Sequence, residues 1–199
     1  HNIFRLGDIN NSIESIYEKI ENIGFSVGAV SPMNSPNNCK NAKYFIPDPW
    51  SLSNSDNSSL SKKIFKMLQQ TVNDNAKNGI SFESYITILK LIIFYSNPKN
   101  LHFYIKYFLT SHKAKWKKAL FLDLLLHDVH LKLIKNKKPN FSSIFFNGGA
   151  HIQHHYFFNS LISKQNNSKK KIENKEDPFK DSLILYDKDI TSLSQLKDI

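Results

Sequence analysis

Apolar positions change spacing several times along the chain, and each change marks a predicted element. In "NNSIESIYEKIENIGFSVGAV", Ile13, Ile16, Tyr17 and Ile20 recur at helical intervals, Asn11 or Ser12 stands where a cap belongs, and Gly24 ends the run. "FSVGAV" at 25–30 then reads as a short apolar strand, giving the αβ step from which layered α/β proteins are built. Residues 31–59 hold four of the seven prolines with many Asn and Ser, which predicts a long loop anchored by Tyr44, Phe45, Ile46 and Trp50. Loops of that length inside a domain are often functional.

Residues 58–137 read as helical almost throughout, as an insert ended by Pro139. Within it "YITILKLIIFY" at 85–95 is broken by Lys90 and is shorter than the roughly 18 apolar residues of a membrane span, so it is expected to be a core helix. "SSIFFN" at 142–147 is the second predicted strand, bounded by Asn140 and by Gly148-Gly149. A helix through "YFFNSLISK", a polar linker at 164–178 and a last helix running from "DSLILYDKDI" to the C-terminus complete the pattern. The predicted fold class is α/β: one partial domain over 1–199, with the helical insert inside it.

Three of the eight histidines lie within five positions, directly after the second strand and its two glycines. Open α/β sheets place ligands at the carboxyl ends of their strands, and glycines there let the backbone turn sharply or pass close to a neighbour. On a helix His151 and His155 are i and i+4, and His151 and His154 are i and i+3, so these imidazoles can converge on one divalent ion. Such a cluster is an incomplete site, and further ligands, carboxylates by expectation, must come from elsewhere. The competing reading is one buried, hydrogen-bonded histidine and two solvated ones.

The remaining candidates are weaker. "HDVH" (His127, Asp128, His130) has two histidines inside an unbroken Leu-rich helix and is expected to be its polar edge. Asp48 in "PDPW" is expected to form a turn rather than to bind a ligand. "HKAKWKK" surrounds Trp116 with Lys113, Lys115, Lys117 and Lys118 and reads as a solvated helix start before it reads as a phosphate or nucleic-acid patch. The sequence holds no Gly-rich phosphate loop, no GxSxG elbow and no Cys/His dyad.

Composition adds two constraints. A formal net charge of +10 favours anionic partners, including nucleic acid, acidic membrane surfaces or phosphorylated substrates. The single cysteine, Cys39, excludes an internal disulfide and slightly favours the cytoplasm, although a start at His1 without Met reads as a cut inside a longer protein.

In order, "SIYEKIENIGFSVGAVSPMNSP", "YFIPDPWS", a helical insert and "PNFSSIFFNGGAHIQHHYFF" resemble the alkaline phosphatase superfamily, in its type I phosphodiesterase/nucleotide pyrophosphatase-like branch. The resemblance spans roughly 11–50 and 139–190 and implies part of an alkaline-phosphatase-like layered sheet. In that family the later block is a core strand ending in Asp-x-x-x-His, with both residues on a metal. His154 takes the place of the metal-binding His, whereas the Asp position is Ala150: either His151 or Asn147 compensates, or this branch binds metal differently, or not at all. The family's nucleophile and remaining ligands would lie before His1 and beyond Ile199. The implied function is metal-dependent hydrolysis of phosphate or sulfate esters on an anionic small-molecule or polymer substrate. The metal would be zinc, or manganese or magnesium, and this segment alone would be inactive. Two other classes stay open: a degenerate, non-catalytic member of the fold, or a basic helical nucleic-acid-binding protein using Lys113–Lys118 and Lys132–Lys138.

Overall fold

A computed structural model describes residues 14–74, 79–157, 177–194 and 196. The fold is α/β and mostly helical: among the described residues, seven α-helices accompany one three-stranded parallel sheet. It divides into two compact units, residues 1–95 with 129–145, and residues 96–128 with 146–199. The predicted insert 58–137 therefore contributes to both units. The predicted linker at 164–178 and helix through 156–164 fall almost wholly outside the described residues.

The first unit holds the sheet. Helix α1 (Ile16–Asn22) is capped by Ser15, and the expected caps Asn11 and Ser12 lie outside the described residues. The Ser15 side chain accepts from the Glu18 amide, and Glu18 accepts from the Ser15 amide at 2.8 Å, a reciprocal capping box. The helix ends where Gly24 enters the left-handed region at φ 92°, with the Phe25 amide donating to the Ile20 carbonyl and the Gly24 amide to that of Glu21. That double bond satisfies the last carbonyls in the way glycine permits.

Strand β1 (Val27–Val30) is buried at every position, as the central strand of a parallel sheet should be. β2 (Tyr44–Ile46) lies on one side and β3 (Phe141–Ile144) on the other, giving the order β2-β1-β3. β2 corrects the sequence reading: the anchors Tyr44, Phe45 and Ile46 of the predicted loop form a strand in register with Gly28, Ala29 and Val30. Val27, Ala29 and Phe45 pack with Tyr17 of α1, whose ring meets Phe45 edge-on at 5.3 Å. Asp48 forms a turn as expected, accepting from the Trp50 and Asn34 amides at 2.9 Å each.

Gly28 faces the Tyr44 ring so closely that a Cβ would stand 2.4 Å from its Cζ. Tyr44 is buried and shares a 3.3 Å hydrogen bond with Nδ1 of His130, so the ring has little freedom to withdraw. Gly28→Ala is expected to lower stability by about 1–3 kcal/mol through overpacking, read as a shift in the urea midpoint at constant m-value.

Three more helices extend this unit or lead out of it. α2 is Ser59–Gln69, α3 is Phe82–Tyr95, and α5 is Lys117–Lys137, whose C-terminal part belongs here. α3 is not the core helix that its apolar content predicts, since only Ser84, Thr87 and Leu91 are buried. No helix among the described residues is long and apolar enough to cross a membrane.

The second unit is helical. It contains α4 (Leu101–Thr110), the N-terminal part of α5, α6 (Gly148–Tyr156) and α7 (Pro178–Ser194). At the start of α5 Lys113, Lys115 and Lys118 are exposed, as a solvated helix start requires, while Trp116 and Lys117 are buried and correct that expectation at those two positions.

Candidate functional site

All three predicted metal-binding histidines lie on α6, which follows β3 after only three residues. His151 is half-buried, while His154 and His155 are exposed. The helix brings two rings together: the centroids of His151 and His155 are 4.6 Å apart, as i,i+4 spacing requires. Burial first, and the charge of His155 second, hold His151 below the usual histidine range, so its ring is neutral near pH 7 and keeps a lone pair. His154 is displaced around the helix by about 60° from His151. Ala150, one residue before this pair, carries no ligating group.

Among the described residues, no group of three or more His, Cys, Asp or Glu is arranged to hold a metal ion. The described chain thus offers a neighbouring imidazole pair, short of the three or four ligands that zinc takes in proteins. Burial, reinforced by Glu21 and Glu18, pushes the Cys39 thiol up to about 12.

A group that the sequence did not single out sets the N-terminus of α6. Asp123 of α5 is buried, and its Oδ2 accepts from the Gly148 amide and from the Tyr186 hydroxyl, both at 2.8 Å. A carboxylate there also lies at the positive end of the helix dipole. The contact explains both glycines. A Cβ on Gly148 would stand 2.5 Å from Asp123 Oδ2, and one on Gly149 would stand 3.0 Å from the Tyr186 ring. Their φ values are not positive, so they serve close approach rather than a sharp turn. What they approach is α5 and α7.

Asp128 is a second buried carboxyl on α5. Asp128 accepts from the Asn97 amide at 2.9 Å, the Asn100 side-chain amide at 2.7 Å and the Tyr104 hydroxyl at 2.8 Å. The Lys188 ammonium donates to the Asn100 side-chain oxygen and lies 4.4 Å from the centre of the Phe103 ring. His127 Nε2 faces Asp189 Oδ1 at 3.6 Å with both side chains 1% exposed, and neither side chain has a hydrogen-bond partner among the described residues.

That distance is too long for a hydrogen bond. Burial drives the two residues away from an ion pair: it lowers His127 to about 4, with Lys188 adding to the effect, and raises Asp189 to about 7 against the pull of Lys188. The pair is therefore uncharged in mildly acidic solution. Burial likewise raises Asp123 to about 7, against its three hydrogen bonds. "HDVH" is not a polar edge, since every residue from Asp123 to His130 is buried. The missed signal was the surrounding leucines: a helix apolar on all sides is enclosed, and polar residues within it are enclosed with it.

Comparison with protein-family models, with curated proteins and with solved structures finds no match.

Proposed function

We propose that this chain is part of a metal-dependent hydrolase of phosphate or sulfate esters, of the alkaline phosphatase kind, in which α6 supplies imidazole ligands. One observation carries the reading: the His151–His155 ring pair at 4.6 Å, on a helix that begins just past the carboxyl end of a parallel strand. Two further features support it. His151 is held neutral, the form that binds metals, and Asp123 fixes the first turn of the helix that carries the pair.

His151 and His155 would hold the ion, with His154 as the ligand that the family resemblance favours and the remaining ligands outside the described residues. A bound divalent ion would supply charge stabilisation at the ester oxygens and activation of a hydroxyl nucleophile. What the chain's own residues do is narrower: Asp123 orients α6, the half-burial of His151 limits its protonation, and the basic composition favours an anionic ester.

The test is zinc titration by calorimetry, followed by the histidine ring protons in NMR spectra. Zinc should shift the His151 and His155 resonances. His151→Ala and His155→Ala should each weaken binding by about 10–100-fold or more, since neither half of the pair is a site alone. His154→Ala tests the family correspondence: a loss as large as the other two brings His154 into the ligand set, and no loss leaves the pair alone. Absence of zinc binding, or binding indifferent to both members of the pair, would overturn the metal assignment. Ala150 gives the second reading its specific support, a non-catalytic member of the same fold, and an apo protein that binds no zinc would favour it.

A further inference from the structure

We propose that this protein docks onto the surface of an anionic lipid bilayer through two separate apolar helix faces, α3 in the first unit and α4 in the second. Each helix is inside out. α3 buries Ser84, Thr87 and Leu91 and exposes Phe82 (80%), Tyr85, Leu89 and Ile93 (71%). At 3.6 residues per turn those four exposed side chains share an arc of about 80° opposite Leu91. α4 buries Tyr104 and Tyr107 and exposes Leu101, Ile105, Phe108 (74%) and Leu109 on an arc of about 100°.

The faces cannot be exchanged by rotating the helices, because the inward groups are committed. Ser84 Oγ of α3 donates to Gln70 Oε1 at 2.7 Å, and the Tyr104 hydroxyl of α4 to Asp128 at 2.8 Å. Soluble surfaces carry scattered apolar residues, but a continuous apolar stripe on a helix marks an interaction surface.

Charge selects the occupant. From Ser84 to Leu122 the chain has no Asp or Glu and seven lysines, of which Lys117 is buried, and the one acid of α3, Glu83, is paired with Lys66. Beside α3, a groove of about 570 Å³ combines Leu60 and Phe94 with Lys63, Lys90 and Lys132, and among the described residues no acidic side chain lines it. Apolar stripes flanked by lysines match a bilayer whose acyl boundary takes Phe, Leu and Ile and whose headgroups are negative. Nucleic acid would engage the lysines and leave eight large apolar side chains in water. A second copy would cover them but bring like charges together. At 14 and 10 residues the two helices would be about 21 and 15 Å long, too short to span the hydrocarbon core, so they would lie in the interface.

The experiment is co-sedimentation of the protein with vesicles of phosphatidylcholine alone and of phosphatidylcholine mixed with phosphatidylserine. The protein should pellet with the mixed vesicles, less so at high salt, and weakly with the neutral ones. Leu89→Asp and Phe108→Asp, both at exposed positions, should each reduce partitioning by about tenfold or more while the far-ultraviolet circular dichroism stays unchanged. Lys90→Glu should reduce binding to the mixed vesicles only. No pelleting with mixed vesicles, or pelleting that Leu89→Asp leaves untouched, overturns the proposal. So does a dimer in sedimentation velocity that Leu89→Asp dissociates, which would give the face to a second copy. None of these outcomes depends on metal binding by α6.

Discussion

Asp128→Ala is expected to lower the stability of the second unit by about 3–5 kcal/mol, enough to unfold much of a marginally stable protein at room temperature. The carboxylate is 2% exposed and receives three donors from two directions: the Asn97 amide, the Asn100 side-chain amide and the Tyr104 hydroxyl. Alanine would leave the Asn97 and Asn100 amides without this acceptor and the Tyr104 hydroxyl with only the Leu124 carbonyl at 3.3 Å, and each orphaned donor costs about 1–3 kcal/mol. Asp128→Asn keeps the volume and one acceptor oxygen but turns an amide toward a donor, so an intermediate loss is expected. Tyr104→Phe should cost less, about 1 kcal/mol, because it removes the donor together with its need for a partner. The check is urea unfolding of the two single variants and of the double variant. Asp128 and Tyr104 touch, so the double loss should fall short of the sum of the single losses. A loss under about 1 kcal/mol for Asp128→Ala would show that the network contributes little to folding.

Asp128 also shows where sequence reasoning ran out. The first αβ step was legible because its information is local: Ile16, Tyr17 and Ile20 at helical spacing, Gly24 as the stop, then four apolar residues. β2 was not legible, because three residues between Lys43 and Pro47 are too few to display a period, and they form a strand only by pairing with β1. The helical spacing of the histidines was readable and the His151–His155 contact follows from it.

The role of Gly148 was only half readable. Close approach was foreseeable, but that Gly148 meets Asp123, 25 residues before it, and Gly149 meets Tyr186, 37 residues after it, is a tertiary fact. α3 failed for a different reason. Its apolar content suggested a core helix, yet Ser84, Thr87 and Leu91 also recur at helical spacing, and that narrower stripe is the one that packs inward. Which of two periodic stripes faces the fold depends on what Gln70 and its neighbours offer as partners.

The buried acids lead to the other large effect: the protein should be more stable near pH 5 than near pH 8, by about 3 kcal/mol. The sign follows from three groups. Burial raises Asp123 and Asp189 from 3.8 to about 7, so between those values the native state holds protons that the unfolded chain releases, and stability falls as pH rises. His127 acts oppositely, since its fall from 6.5 to about 4 makes the native state hold fewer protons, and stability rises with pH until about 6.5. Two carboxyls against one imidazole leave a net fall of about one proton, or about 1.4 kcal/mol per pH unit, up to pH 6.5, and a steeper fall from there to about 7. Asp128, raised in the same direction, adds to the fall, and the lowered His151 opposes it. The lowered Glu18 and Glu83 act below their ordinary 4.5, outside this window.

Asp189→Asn should flatten the profile and make the variant more stable than the wild type at pH 8 by about 1–3 kcal/mol, because it removes a buried charge that has no hydrogen bond. Its amide can donate to the neutral His127 ring, which the carboxylate faces only at 3.6 Å. Denaturation midpoints at four pH values between 5 and 8 decide the matter. Equal slopes for the two proteins would remove Asp189 as a source of the pH dependence. A wild type whose stability rises across the same range would mean that Asp123 and Asp189 titrate as ordinary acids, and that the network is held together by charge rather than by its absence.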